Sequence, residues 1–231
     1  MNRKLEVGEV LGEVFRIYGR HAGVLLPAAF WLFLVAAIVD GIVGNDLSLF
    51  PLVIAVSSVI GILYQGMVVG LVRDVEGGRE DSSIGALVSF AMPVLLPLIG
   101  AALISGIAVG VGIVLFVVPG LILLTIWAVI GPVIVIERIG VFPAFSRSRQ
   151  LVRGSGWPVF GVVVTAFLIS LVGGIIFSEI AAGISDGPIV RIVFSALAST
   201  ITAPIVALAA GVLYYRLLAI APVAPPPPAA V

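Results

Sequence analysis

The sequence contains no cysteine, a single histidine (His21) and few charged residues, which make up 10% of its 231 residues. Without cysteine the chain has neither a disulfide framework nor a thiolate metal site, and one histidine excludes a site built from several. Soluble domains carry about 25% charged residues, so this chain has too little charge to cover a surface in water. Its formal net charge is zero, which gives no general attraction to nucleic acid. We therefore predict no metal, no cofactor and no nucleic-acid partner.

Hydrophobic residues are abundant, at 61% of the chain, and they form runs long enough to cross a bilayer. A hydrocarbon core of about 30 Å needs about 20 apolar residues per helix. Residues 84–136 carry no charge, and as one helix they would extend about 80 Å at 1.5 Å per residue. This run must fold back near residues 106–120, where Pro119 and Gly120 are the strongest breakers. Whether that turn is a loop or a re-entrant segment stays open.

We predict an all-α, polytopic membrane protein with six transmembrane helices. The predicted spans are residues 22–43, 51–72, 92–112, 116–136, 158–178 and 192–218. Glu6, Glu9 and Glu13 precede the first run and do not suit the basic region of a cleavable signal, so we expect a retained membrane helix.

The basic residues predict the orientation. All 12 except Arg191 fall on one side of the predicted spans, and positive charge collects on the cytoplasmic side of membrane proteins. Both termini should therefore be cytoplasmic, in a multi-pass protein of the cell membrane.

A short amphipathic segment precedes each predicted pair of spans. These segments are residues 5–20, 81–92 and 141–154. In the first, apolar residues recur at i, i+3, i+4 and i+7, which places them on one face of a helix. A helix too polar to span can lie in the membrane interface or pack on protein. We predict three hairpins, each preceded by a cytoplasmic interfacial helix, within one domain (1–221), followed by a disordered Pro-rich tail (222–231).

Basic residues cluster after the fourth predicted span. The cluster consists of Arg138, Arg147, Arg149 and Arg153, and Trp157 follows it. A basic residue near an anionic leaflet contributes about 1 kcal/mol. Arginine can bind phosphate with two parallel hydrogen bonds, and we predict that Arg147 and Arg149 could bind one phosphate between them. We predict that this segment binds lipid head groups, with membrane lipids, anionic ones included, as partners. The alternative, that these arginines only set the topology, stays open.

Glu137 is the one acid at this junction. Its neighbour Arg138 cannot face it, because adjacent residues on a helix point in different directions. We predict that Glu137 pairs with Arg73 or Arg216, which have matching depth at the ends of other spans.

Polar residues inside the predicted spans are few. Gln65 lies well inside the second span, and Ser195, Ser199 and Thr202 share a face of the sixth. No catalytic triad and no phosphate-binding loop is present. The leading prediction is a non-enzymatic membrane scaffold or lipid-interacting protein. The alternative is a small transporter or channel-like protein in which Gln65 and the serine seam line a polar path. A homo-oligomer and a membrane-protein partner both stay open.

Several segments together carry a family resemblance. They are Pro119-Gly120, PVIVIE (132–137), AFSRS (144–148), LVRG (151–154) and Trp157, with LGEVFRIYGRH (11–21) and LYYR (213–216) near the two ends. The chain resembles the glycerophosphoryl diester phosphodiesterase membrane domain and YciC-like families of uncharacterised prokaryotic integral membrane proteins. The resemblance implies a six-helix bundle without a settled activity, since the family name comes from fusions to a separate soluble enzyme domain. The paired carboxylates and histidines of that enzyme are lacking, so we expect the membrane part alone.

Overall fold

The computed structural model describes residues 5–43, 48–79, 82–185 and 187–220, and these residues form helices and short turns without a strand. The helices are α1 (Val7–Arg20), α2 (Ala22–Val43), α3 (Phe50–Glu76), α4 (Ile84–Ala91), α5 (Leu95–Leu115), α6 (Val117–Ile126), α7 (Ile130–Glu137), α8 (Val141–Val152), α9 (Gly156–Ile184) and α10 (Pro188–Ile220). A 3-10 turn, Met92–Val94, joins α4 to α5. The predicted tail, residues 222–231, lies outside the described residues.

Within the described residues, six helical segments are long and apolar enough to cross a membrane: α2, α3, α4 with α5, α6 with α7, α9, and α10. Their outward side chains are apolar; for example, Leu96 is 79% and Val114 85% exposed. Apolar surface on this scale needs a cover, which hydrocarbon supplies. The predicted all-α architecture with six membrane-length helices is confirmed, although α9 continues to Ile184, beyond the predicted end at 178.

The arginines of α3, of the α7–α8 junction and of α10 lie at one end of the bundle, here called the basic end and marked by Arg73, Arg138 and Arg216. The tightest packing is at the same end. Fully buried residues there include Val14 of α1 and Leu213 of α10. Helix α10 is central, because it contacts α1, α2, α3, α7, α8 and α9.

Helix α1 packs its apolar face on protein, against α10, α9 and α2. Val10, Val14 and Ile17 are buried, whereas Phe15 is exposed. On its polar side, Glu13 forms an ion pair with Arg16 and receives a hydrogen bond of 3.2 Å from Nη2 of Arg216. The apolar stripe read from the sequence therefore faces α10 and its neighbours, and Glu13 joins α1 to the end of α10.

The link between α1 and α10 should depend on pH. A hydrogen bond from Arg16 holds the pKa of Glu13 below its ordinary value of 4.5, and Arg216 lowers this pKa further. A carboxylate with a lowered pKa in the folded state stabilises the protein fully above its unfolded pKa, and loses that contribution as pH falls through the lowered value. We expect Glu13→Gln to be less stable than wild type at pH 7, the difference to shrink as the pH falls below 4.5, and to vanish once the pH is below the lowered pKa of Glu13. Thermal unfolding in detergent across this range measures it, and exposed Glu9→Gln, which should match wild type throughout, is the control.

The chain turns between α5 and α6 at one extended residue, Phe116. Two glycines allow the helices to approach there, because a Cβ on Gly112 would lie 2.9 Å from Cα of Gly120. A Cβ on Gly120 would lie 2.6 Å from the backbone nitrogen of Ile113. Pro119 falls in the first turn of α6, where no helical N–H is required. The turn at residues 106–120 is thus a direct reversal between two helices, and the segment after it, Val117–Glu137, is itself of membrane-crossing length.

A break separates α6 from α7 at residues 127–129. Proline lacks an N–H and its ring clashes with the carbonyl four residues earlier, so Pro132 explains a break at Ala128. The N–H of Ile130 bonds to Trp127, which leaves the Ile126 carbonyl without its helical donor. The Ser148 hydroxyl of α8 donates to that carbonyl at 2.9 Å. The break therefore provides an attachment point for α8.

Candidate functional site

The basic end is organised around a left-handed residue, Arg138, which caps α7 with φ 53° and ψ 33°. This conformation costs a non-glycine residue about 1 kcal/mol or more. Two contacts offset the cost. The guanidinium donates to the Phe90 carbonyl at 3.0 Å and lies 4.5 Å from the centre of the Phe90 ring. Burial lowers the pKa of Arg138, and the nearby charge of Arg73, which lies over the same ring at 4.2 Å, lowers it further.

Glu137, immediately before this turn, has a buried carboxylate with two partners. Its side chain is 4% exposed. Arg147 Nε donates to both carboxylate oxygens at 3.0 Å, and the Tyr214 hydroxyl donates to Oε1 at 3.0 Å. Arg147 belongs to α8 and Tyr214 to α10, so this carboxylate joins three helices.

The prediction that Glu137 pairs with Arg73 or Arg216 is wrong. Arg216 instead binds Glu13, and Arg73 lies beside Asp74 at 3.5 Å. Depth along the spans makes several arginines equally suitable partners for Glu137. The left-handed turn at Arg138 decides between them, because it directs α8 back onto α7 and brings Arg147 to the Glu137 carboxylate.

Arg147 therefore differs from the other arginines of the predicted cluster. Its side chain is 13% exposed and is engaged with Glu137, so it faces the bundle and not the exposed side of α8. It acts as a positioning residue that fixes α8. The predicted fork of Arg147 and Arg149 around one phosphate does not fit this placement.

Helix α8 has one buried and one exposed face. Ala144, Ser148, Leu151 and Val152 are buried. The exposed residues at helical spacing are Ser146, Arg149, Gln150 and Arg153, and aromatic residues flank them: Phe142 is 76% and Trp157 85% exposed. We call this surface, Phe142 to Trp157, the arginine face. Gly154, at φ +90°, turns the chain between α8 and α9, and Trp157 follows three residues later at the start of α9.

Two cavities lie nearer the middle and the opposite end of the bundle. The inner cavity, about 480 Å³, is lined by Gln65 of α3, by α5 residues including Ser105, Gly106 and Gly110, and by residues of α6, α9 and α10. The second, about 490 Å³, lies between α9 and α10 and is lined by Arg191, Ser195 and Ser199, among others.

The residues of the predicted polar path are divided between these places. Gln65 lines the inner cavity, whereas Ser195 and Ser199 line the cavity between α9 and α10. The Thr202 hydroxyl donates to the Ala198 carbonyl of its own helix at 2.8 Å. The seam predicted on α10 therefore does not meet Gln65 in one cavity.

The sequence did not predict the contacts of three residues at the basic end: Tyr214, Ser148 and Phe90. The LYYR segment that holds Tyr214 was noticed only for its resemblance, although a tyrosine near a span end commonly bonds a polar partner. Ser148 depends on a carbonyl freed 22 residues earlier, and no local pattern indicates such a contact. Among the residues that the structure describes, no group of three or more histidine or acidic side chains forms a metal site.

Comparison with known protein families, curated proteins and solved structures finds no match for this chain. The family resemblance of residues 119–157 and of the two ends therefore stays a prediction, and the function has to be argued from the site itself.

Proposed function

We propose that this protein is a non-enzymatic membrane protein that binds anionic lipid head groups through the arginine face and serves as a scaffold in the cell membrane. In this proposal the basic end is cytoplasmic, as the distribution of Lys and Arg favours, and α1 and α8 lie at head-group depth. The observation that carries the proposal is the exposure of Arg149, in the last turn of α8, and of Arg153, which caps α8. The other face of α8 is fixed to the bundle.

The chemistry of this face suits a lipid phosphate. Arg149 and Arg153 are one helical turn apart and share a face. Neither has an acidic partner among the described residues. Exposed Phe142 and Trp157 suit the interface between head groups and hydrocarbon, where aromatic side chains collect.

The fixed position of α8 favours binding over a role in topology alone. Arginines that only set orientation need no defined placement, yet α8 is held by the Glu137–Arg147 pair and by the Ser148 hydrogen bond. A preorganised site loses less entropy when a ligand binds. The transport alternative would need one path through Gln65 and the serine seam, and their division between two cavities does not favour it.

The double variant Arg149→Ala/Arg153→Ala should bind phosphatidylglycerol about 20- to 30-fold more weakly than wild type, since each arginine contributes about 1 kcal/mol. The measurement is a titration of detergent-purified protein with phosphatidylglycerol, followed by native mass spectrometry, with phosphatidylcholine as the neutral comparison lipid.

Gln150→Ala, an uncharged change on the same face, is the matched control and should bind phosphatidylglycerol like wild type. Arg149→Lys/Arg153→Lys keeps the charge and should lose much less than the alanine pair. Equal phosphatidylglycerol binding by the alanine pair and wild type would reject the proposal and leave these arginines with topology as their role.

A further inference from the structure

A polar side chain, the amide of Gln65, lines the inner cavity. Gln65 is partly exposed, and among the described residues no group hydrogen-bonds to its side-chain amide. It lies about 16 Å from the Glu76 end of α3 and about 22 Å from the Phe50 end, at 1.5 Å per residue. It is therefore near the middle of a membrane-length helix. In hydrocarbon an unsatisfied amide costs several kcal/mol, so this position calls for a partner.

The shape of the cavity comes from glycine and alanine residues in and around its walls. Gly106 and Gly110 open one wall, because a Cβ on either would meet nothing within 4 Å. Ala128, Ala166 and Ala209 contribute small side chains to the other walls. Gly131 gives the amide its room, since a Cβ there would lie 3.2 Å from Nε2 of Gln65. A cavity of about 480 Å³ falls within the range of sites for small molecules.

The cavity also has an entrance from the side. Helix α5 packs mainly on α6, whereas α9 packs mainly on α10 and makes smaller contacts with α1 and α6. The cavity lies between α5 and the α9–α10 pair. Gly106, Gly110 and Val206 line it and are exposed, so the cavity is open and not enclosed. A molecule dissolved in the bilayer can therefore reach Gln65 without crossing the basic end.

We propose that the inner cavity binds a neutral, membrane-soluble molecule that presents a carbonyl or hydroxyl oxygen to the Gln65 amide. The described lining contains no charged side chain, which excludes an ionised head group at this depth. The amide donates a hydrogen bond to an oxygen acceptor, and Trp127 supplies an aromatic wall. A quinone and a diacylglycerol both have this chemistry. This site is separate from the arginine face and does not depend on the lipid-binding proposal.

Trp127 allows binding to be measured directly. The other two tryptophans are replaced in a Trp31→Phe/Trp157→Phe background, so that only Trp127 fluoresces. The protein in detergent is titrated with two probes: a benzoquinone with a ten-carbon chain, and dioctanoylglycerol brominated on its chains. Both quench a nearby tryptophan. We expect saturable quenching by at least one probe, and the probe that quenches identifies the class of ligand.

Three variants locate the site. Gln65→Leu should raise the dissociation constant about three- to tenfold, the value of one hydrogen bond, and Gly106→Phe should abolish saturable quenching by filling the cavity. Gly174→Phe, which fills the cavity between α9 and α10 instead, is the control and should bind like the parent protein.

Absence of saturable quenching by both probes would overturn the proposal. Binding that Gln65→Leu leaves unchanged would overturn it too, because the amide would then have no part in recognition. If Gly106→Phe does not fold, the Gln65→Leu variant still tests the proposal. It should fold, because leucine is close to glutamine in size and is stable in a hydrocarbon environment.

Discussion

Arg147→Ala is expected to destabilise the protein by about 3–5 kcal/mol, the cost of leaving one member of a buried ion pair without its partner. Among the described residues, the Glu137 carboxylate would keep only the Tyr214 hydroxyl as a donor, in a position 4% exposed. Helix α8 would lose its ion pair with α7 at the same time. Thermal or denaturant unfolding in detergent measures the change in the free energy of unfolding.

Arg149→Ala is the matched control, because Arg149 is on the same helix and faces outward. Its effect should stay within about 0.5 kcal/mol, as for most surface substitutions. A double variant, Glu137→Leu/Arg147→Met, removes both charges and should recover much of the lost stability, since apolar replacements of buried ion pairs are often neutral or stabilising. A loss for Arg147→Ala no larger than that for Arg149→Ala would show that the pair does not stabilise the bundle.

Gly120→Ala should also be strongly destabilising, by about 1–3 kcal/mol or more, because overpacking at a close contact forces the helices apart. The new Cβ would meet the side chain of Ile113 and its backbone nitrogen at 2.6 Å. Backbone cannot move aside as a flexible side chain does. The relief is a separation of α5 from α6, which thermal unfolding in detergent should register as a lower midpoint.

Gly110→Ala tests the same change two residues before Gly112 in α5, at a position where a Cβ meets nothing within 4 Å. Its stability should match or exceed wild type, since alanine is the better helix former. Equal midpoints for Gly120→Ala and Gly110→Ala would contradict the close helix contact at the turn.

The six-helix architecture could be predicted from the sequence because it depends on the composition and on the length of the apolar runs. The scarcity of charge indicated a bilayer, and a charge-free run too long for one helix required a reversal, which occurs at Phe116. The break between α6 and α7 was harder to place. It depends on which carbonyl Pro132 displaces, and the apolar pattern continues through it without interruption.

The contacts at the basic end could be predicted from the sequence only in part. The pattern gathered Arg138, Arg147, Arg149 and Arg153 into one set, but their roles separate in the structure because α8 turns Arg147 inward and Arg149 outward. That difference follows from the direction of α8 after the left-handed turn at Arg138. Conformation at one residue, and contacts between residues far apart in the chain such as Glu137 with Tyr214, leave no periodic signal.

The concentration of tight packing at the basic end also shapes how the molecule moves. When helices are packed tightly at one end only, their displacement is smallest at that end and increases with distance from it. In the distal half of α9, Ile175, Ile176 and Ile180 are all exposed, although Phe177 still packs against Phe194 of α10. Regions with few buried contacts open at lower free energy. We expect the opening of the inner cavity between α5 and α9 to vary in width while the Glu137–Arg147 pair stays intact. The cavity can then open toward the lipid without disrupting the packing at the basic end.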